Sequence, residues 1–148
     1  MATIYLAGPI DKVTAEHASS WRDEASGILA EEHNHLVCDP NGTWRTQVAS
    51  RGSHPVVECA SIFRVDTACV KTADALLVWC DKNTLACGTY VETGLALSQN
   101  KIIAFYSPGV FPGFIKGACG ANPETTAMFT DLTDACEWIC NKVEQEVQ

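Results

Sequence analysis

The sequence predicts an α/β protein of three layers, in which helices cover both faces of a central sheet of five mostly parallel strands. Three observations support this prediction. Apolar runs alternate along the chain with longer amphipathic segments. Two of these runs, at 75–80 and 102–105, are apolar at every position, which is typical of parallel strands that are covered on both faces. Turn-forming residues such as Gly, Pro, Asp and Asn separate the first segments from one another.

Each predicted strand is a short apolar run bounded by polar or turn-forming residues. The predicted strands lie at 3–7, 35–38, 74–80, 101–106 and 127–130. Gly8 and Pro9 end the first strand. A polar loop at 39–54 follows the second strand, and its opening residues Asp39-Pro40-Asn41-Gly42 favour a turn.

The predicted helices connect these strands and follow the last one. They lie at 14–32, at 55–72, around Glu92 and at 132–146. The first helix has an apolar stripe at helical spacing, made of Ala18, Trp21, Ala25, Ile28 and Leu29. The second helix has Pro55 in its first turn, where proline is tolerated. The segment 107–126 is predicted to be a long loop, and its length fits a lid, a subunit contact or a plain surface loop.

Alternating strands and helices imply right-handed crossovers and a flavodoxin-like or Rossmann-like layer within a single domain, residues 1–148. In such sheets the ligand crevice lies at the carboxyl ends of the strands. Segment 7–11 and the loops that begin at Asp39, Asp81 and Ser107 occupy those ends. A small-molecule site is therefore expected there.

Composition excludes several classes of partner. A net charge of −8 argues against a broad nucleic-acid surface, which needs clustered Lys and Arg. No apolar run approaches the roughly 20 residues of a membrane-spanning helix. The first residues lack the basic segment of a secretory signal, so we expect a cytoplasmic protein with no membrane partner.

The eight cysteines are expected to be reduced, because most fall inside predicted strands or helices and none forms a C-x-x-C pair. The four histidines, at positions 17, 33, 35 and 54, do not share metal-ligand spacing with them. We therefore predict no metal and no cofactor.

Glu92 is the only charged side chain between Asn83 and Asn100. A helix between two buried strands is itself expected to be mostly buried, and an ionised carboxylate without a partner is costly there. If Gly88 opens the helix, Glu92 lies near the first turn, where the helix dipole favours an anion. Glu92 is therefore a candidate functional carboxylate, and a structural glutamate that reaches solvent is the alternative.

Asp66 is a second carboxylate in an apolar setting. On a helical wheel of the segment 56–71 it falls at the centre of a face made of Cys59, Ile62, Phe63, Cys69 and Val70. Burial raises the pKa of a carboxyl group, as a proton donor near neutral pH requires. A buried aspartate that caps a loop is the alternative. Two carboxylates near one crevice are the arrangement used for glycosidic bond cleavage.

Three segments resemble the nucleoside 2-deoxyribosyltransferases and the related nucleoside 5′-monophosphate N-glycosidases. They are Ile4-Tyr5-Leu6-Ala7-Gly8-Pro9, Asp66 with the run Ala73-Asp74-Ala75-Leu76-Leu77-Val78 after it, and Gly88-Thr89-Tyr90-Val91-Glu92-Thr93-Gly94-Leu95-Ala96. Their order and spacing fit the family across residues 3–106, and the C-terminal third matches loosely.

The resemblance implies roles for individual residues. Glu92 matches the nucleophile that attacks C1′ of the sugar, Tyr5 matches a tyrosine that orients it, and Asp66 matches an aspartate that meets the base. Gly8 would allow a close approach of backbone and ligand. Further substrate contacts are expected from Pro9, Ile10, Asn41 and Gly88. The family also implies a homodimer or larger homo-oligomer in which a neighbouring subunit completes the pocket, here through Thr125, Thr126 and Met128.

One departure concerns the substrate. Many transferases carry a second aspartate six residues before the nucleophile, and that position here is Ala86. The nucleotide-directed glycosidases also lack it, which moves the prediction toward a monophosphate. The candidate phosphate partners are Arg22, Arg45 and Arg51, since an arginine fork suits a phosphate.

The sequence therefore predicts an enzyme that cleaves the N-glycosidic bond of a nucleoside or nucleoside 5′-monophosphate. No motif decides whether the sugar passes to another base or to water. A non-catalytic nucleotide sensor on the same fold is the alternative. An oxidoreductase is disfavoured because no G-x-G-x-x-G follows the first strand.

Overall fold

The computed structural model describes residues 1–10, 13–41, 56–84 and 86–146. Strands and helices alternate along these residues, as the sequence predicts. The five strands are β1 (Thr3–Ala7), β2 (Leu36–Cys38), β3 (Ala75–Trp79), β4 (Ile102–Tyr106) and β5 (Thr126–Phe129). The described residues form five α-helices, which are α1 (Ala15–Ser26), α2 (Val56–Thr72), α3 (Cys87–Ser98), α4 (Gly113–Ala121) and α5 (Leu132–Glu146). A π-helical segment, Gly27–Glu32, continues α1.

The strands form one sheet in the order β2-β1-β3-β4-β5, and every neighbouring pair is parallel. This is the flavodoxin-like order, and the predicted three-layer α/β fold is confirmed. The chain moves to one side of β1 to form β2 and then to the other side to form β3. The carboxyl ends of β1 and β3 therefore flank the point where ligands bind in sheets of this type.

Two apolar layers cover the two faces of the sheet. The first layer joins α1, its π-helical extension and α5 to one face, through residues such as Leu6, Trp21 and Trp79. The second joins α2, α3 and α4 to the other face, through residues such as Tyr5, Val78 and Phe105. Successive residues of a strand point to opposite faces. Tyr5 and Leu6 therefore belong to different layers.

The helix boundaries follow from local chemistry. Thr14 lies outside α1, and its side chain accepts a hydrogen bond of 3.0 Å from the His17 backbone N–H, so it caps the helix. Asn34 and Asn100 adopt left-handed backbone conformations, with φ of 58° and 54°, directly after helical segments. Asparagine tolerates this conformation better than most residues, which explains why the chain turns into a strand at both places.

The predicted loop at 107–126 is wrong, because it contains α4. This helix has three glycines in nine residues, and glycine has a poor helix propensity, which hid the helix in the sequence. The helix forms because Ile115 and Cys119, one turn apart, are buried in the second apolar layer. The connection is therefore a packed element of the fold.

Three further predictions about helices need correction. Helix α3 begins at Cys87, so Glu92 is its sixth residue and lies in the second turn, where the helix dipole acts weakly. This helix is also only partly buried, through Thr89, Thr93 and Ala96. In α2 the predicted apolar face is not continuous, because Phe63 is 58% exposed.

None of the helices formed by the described residues combines the length and the apolar character needed to cross a membrane.

Candidate active site

Tyr5 lies in the middle of β1, and its side chain is completely buried on the face covered by α2 and α3. Ile4 and Leu6 point to the opposite face. The phenol therefore enters the crevice side of the sheet because of strand alternation alone. A buried phenolic hydroxyl needs a hydrogen-bond acceptor, which makes its neighbours informative.

Glu92 projects from the second turn of α3 and is half-buried. One carboxylate oxygen, Oε2, is shielded from solvent. A Cβ atom placed on Gly88, one turn earlier, would lie 4.0 Å from the other oxygen, Oε1. Gly88 therefore leaves the space beside this carboxylate open to a ligand.

The Tyr5 hydroxyl and the Glu92 carboxylate interact. Burial raises the pKa of Tyr5 far above its ordinary value, and the negative charge of Glu92 and a hydrogen bond to it raise the pKa further. Among the described residues the hydroxyl has no partner at good hydrogen-bond geometry, so its contact with Glu92 is looser than an ideal bond. Such contacts are common in unliganded active sites and tighten when substrate binds. Tyr5 stays protonated and donates toward Glu92.

Asp66 lies on the same side of the sheet, half-buried on α2. After burial and Glu92, its negative charge is the next influence that raises the pKa of Tyr5. The same charge acts on Cys38, whose pKa is raised to about 12, mainly by burial and by contact with Cys69. The structure therefore brings Glu92 and Asp66 close to the Tyr5 hydroxyl, beside β1.

Cys38 and Cys69 also lie at this site. From the sequence they were expected only to be reduced cysteines inside predicted strands or helices. Cys38 is the register partner of Tyr5 in the neighbouring strand, so the two side chains point to the same face. The two thiols are close enough for Cys69 to raise the pKa of Cys38. The predicted strands around Tyr5 and Cys38 could have indicated this proximity. Two residues that are paired in neighbouring parallel strands point to the same face of the sheet.

Arg22, a candidate phosphate partner, lies beside the loops that follow β1 and β2. Its side chain is completely buried between α1 and the ends of β1 and β2. Its guanidinium donates to the carbonyl oxygens of Ala18 and Gly8, at 3.1 and 3.0 Å, and pairs with Asp39 at 3.1 Å. In this structure Arg22 joins the loop after β1 to the loop after β2. A role as a phosphate partner stays a prediction.

The remaining predicted substrate contacts follow β1 or β2. Pro9 is buried, and Gly8 and Ile10 are half-buried. A Cβ atom on Gly8 would lie 2.6 Å from Trp21 Cζ2, so the absence of a side chain at Gly8 leaves room for the Trp21 indole. The sequence did not predict this contact. The Asn41 backbone N–H donates to Asp39 Oδ1 at 2.9 Å. Arg45 and Arg51 lie outside the described residues.

The three residues predicted to contribute to a neighbouring subunit are on or beside β5, the edge strand. Thr126 is buried, and its hydroxyl donates to the Asn122 carbonyl at 2.6 Å. Thr125 is half-buried, and Met128 is 41% exposed. Of the three, Met128 has the most surface available for another chain. Their contribution to a second active site stays a prediction.

Metal-ligating side chains cluster elsewhere. Within the described part of the chain, ligand atoms of Glu32, His33 and Glu137 lie within 4.8 Å of one another. These residues belong to the end of the π-helical segment and to α5, which cover the face opposite Tyr5. This cluster and the candidate active site therefore lie on opposite faces of the sheet.

Comparison with known proteins identifies a family. Residues 1–109 match the model of the family described as nucleoside 2-deoxyribosyltransferase like. The chain shows no significant match to a curated protein sequence.

Several solved structures share the fold. A 2-deoxyribosyltransferase from Bacillus psychrosaccharolyticus is 21% identical, with a TM-score of 0.64 over 90% of this chain and 89% of its own. A CMP N-glycosidase from Clostridium botulinum is 13% identical, with a TM-score of 0.56 over 93% and 97%. A conserved protein from Enterococcus faecalis is 14% identical, with a TM-score of 0.67 over 96% and 99%.

The family match covers Tyr5, Asp66 and Glu92, the three residues that converge beside β1. The match also covers most of the chain, and the predicted resemblance is confirmed. The protein belongs to the nucleoside 2-deoxyribosyltransferase-like family.

Proposed function

We propose that the protein cleaves the N-glycosidic bond of a nucleoside or nucleoside 5′-monophosphate through a covalent glycosyl ester on Glu92. The single observation that carries this proposal is the convergence of Glu92 and Asp66 on the buried Tyr5 hydroxyl. Two carboxyl groups beside one ligand crevice suit a double displacement at a sugar carbon.

In the first step a Glu92 oxygen attacks C1′ of the sugar. The C1′–N bond breaks, and its electron pair leaves with the base, which receives a proton from Asp66. Tyr5 donates a hydrogen bond to the Glu92 carboxylate and holds it in position. Because the pKa of Tyr5 is raised, the hydroxyl remains a donor throughout the neutral range.

In the second step an acceptor attacks C1′ of the ester and releases the Glu92 carboxylate. If water is the acceptor, it passes a proton to Asp66 and the free sugar is released. If another base is the acceptor, its attacking ring nitrogen passes a proton to Asp66 and a new nucleoside forms. Either route inverts C1′ twice and retains its configuration.

Intact-mass spectrometry after rapid acid quenching tests the covalent step. We expect wild-type protein, incubated with a mixture of deoxynucleosides or deoxynucleoside 5′-monophosphates, to gain the mass of the sugar or sugar phosphate. Glu92→Gln should show no adduct and a loss of turnover of about a thousandfold or more. Glu31→Gln, at an exposed position on the π-helical segment, is the matched control and should behave as wild type. Unimpaired turnover by Glu92→Gln would refute the covalent mechanism.

The same incubations separate the acceptors and the alternative function. Adding a free base converts the product to a new nucleoside in a transferase and leaves it unchanged in a hydrolase. Comparison of nucleosides with their 5′-monophosphates defines the need for phosphate. A nucleotide sensor would bind these compounds in calorimetry, cleave none of them, and have no turnover for Glu92→Gln to remove.

A further inference from the structure

A second cleft opens on the opposite face of the sheet from Tyr5. Its volume is about 280 Å³. Four of its residues form one face of α1, at the spacing of successive helical turns, and the others lie at the carboxyl ends of β3 and β4 or just after β4. The lining residues are His17, Ser20, Trp21, Glu24, Trp79, Tyr106 and Pro108.

Aromatic rings form most of the wall of this cleft. The His17 ring stands edge-on to Trp79, with the ring centroids 4.6 Å apart and the planes at 89°. Trp21 and Trp79 are almost fully buried, and Tyr106 is half-buried. The ring nitrogens His17 Nε2 and Trp21 Nε1 are buried and have no hydrogen-bond partner among the described residues. Leaving buried polar atoms unpaired is unfavourable, so this wall is not optimised for stability alone.

The charge on the wall of the cleft is negative, and the nearby Arg22 guanidinium, 4.7 Å from the centroid of the Trp21 ring, is itself paired with Asp39. Glu24 is part of its wall, and no lysine or arginine is among the lining residues. The pKa of Tyr106 is raised, first by burial and then by the negative charges of Glu24 and Asp131, so both carboxylates act on the hydroxyl at the cleft. Electron-rich ring faces and nearby carboxylates attract cations and repel anions.

We propose that this cleft binds a small organic cation, such as an amine or a quaternary ammonium group, between the aromatic rings and Glu24. Aromatic walls bind such cations through the electron density of the ring faces, and a neighbouring carboxylate adds charge attraction. The cleft is too small for a large ligand, because ligand pockets usually occupy about 300–1,000 Å³. This inference does not depend on the proposed function of Glu92.

The cleft also lies directly against the loop that follows β1. A Cβ atom on Gly8 would lie 2.6 Å from Trp21 Cζ2 and 3.2 Å from Trp79 Cβ, so both indole-bearing residues pack on Gly8. Gly8 in turn accepts a hydrogen bond from Arg22. A bound cation would therefore touch the same residues that support the loop at the end of β1.

Titration of the protein with choline, followed through the indole N–H resonances, tests the proposal. We expect the signals of Trp21 and Trp79 to shift and to saturate, while that of Trp138, which packs on Phe129 and Lys142, stays constant. The neutral carbon isostere of choline, with a tert-butyl group in place of the trimethylammonium, is the ligand control. It should bind about tenfold more weakly.

Two variants locate the binding. Glu24→Gln and Tyr106→Leu should each weaken choline binding about three- to tenfold, and Glu31→Gln should leave it unchanged. Equal binding of choline and its neutral isostere would overturn the proposed cation specificity. The absence of saturable shifts at Trp21 and Trp79 up to about 10 mM choline would overturn the site itself.

Discussion

Replacement of Arg22 by methionine should destabilise the protein strongly, because the guanidinium is buried completely and holds two loops. The substitution removes the ion pair with Asp39 at 3.1 Å and the hydrogen bonds to Gly8 and Ala18 at 3.0 and 3.1 Å. Breaking a fully buried pair costs about 3–5 kcal/mol. Asp39 is 29% exposed and can regain water, so we expect the lower end of this range, about 3 kcal/mol.

Urea unfolding at neutral pH measures this loss. For a chain of this size, about 3 kcal/mol corresponds to a fall in Tm of roughly 6–12 °C. Arg64→Met, at an exposed position on α2, is the matched control and should change stability by less than about 0.5 kcal/mol. Combining Arg22→Met with Asp39→Asn in a double-mutant cycle isolates the pair, and the double variant should lose less than the sum of the single losses. A loss below about 1 kcal/mol for Arg22→Met would refute the reasoning.

Three further predictions concern packing and titration. Gly8→Ala should cost about 1–3 kcal/mol in urea unfolding, because its Cβ would lie 2.6 Å from the rigid indole of Trp21, and a neutral result would show that the loop can move. His35 is buried, and its Nδ1 accepts a hydrogen bond from the Ala2 N–H; burial lowers its pKa. The unfolded chain therefore binds a proton more readily than the folded protein, so the free energy of unfolding should fall as the pH drops below about 6.5. His35→Gln should flatten that pH dependence. Burial raises the pKa of Cys80 to about 12, so a thiol-specific disulfide reagent should label the exposed Cys59 and Cys87 before Cys80 in the native protein. Equally fast labelling of Cys80 would contradict the burial argument.

The sequence predicts best the elements whose residues all share one environment. Strands β3 and β4 are buried on both faces, and their unbroken apolar runs predict them directly. Helix α5 begins and ends where its pattern predicts, because its buried residues recur at helical spacing. In these segments local preference and tertiary packing agree.

The sequence predicts least well where tertiary contacts outweigh local preference. Helix α4 forms despite its glycines because one side packs on the sheet. The sequence indicated Arg22 only as a candidate phosphate partner, whereas its buried position between the loops after β1 and β2 depends on tertiary structure. Tyr5, Asp66 and Glu92 could each be identified as candidates from the sequence. Their proximity could not, because it depends on the order of the strands and on which sides of α2 and α3 face the sheet.

Successive side chains of β1 point to opposite faces of the sheet, and this limits where the chain tolerates a change in length. Tyr5 faces the acidic residues and Leu6 faces the layer beneath α1, with the register fixed by the pairs Tyr5↔Leu76 and Leu6↔Leu77. Insertion or deletion of one residue ahead of Thr3 leaves this pattern intact. The same change inside the strand would turn the phenol toward the apolar layer beneath α1 and would place leucine beside Glu92. Natural length variants should therefore cluster before this strand and be absent within it.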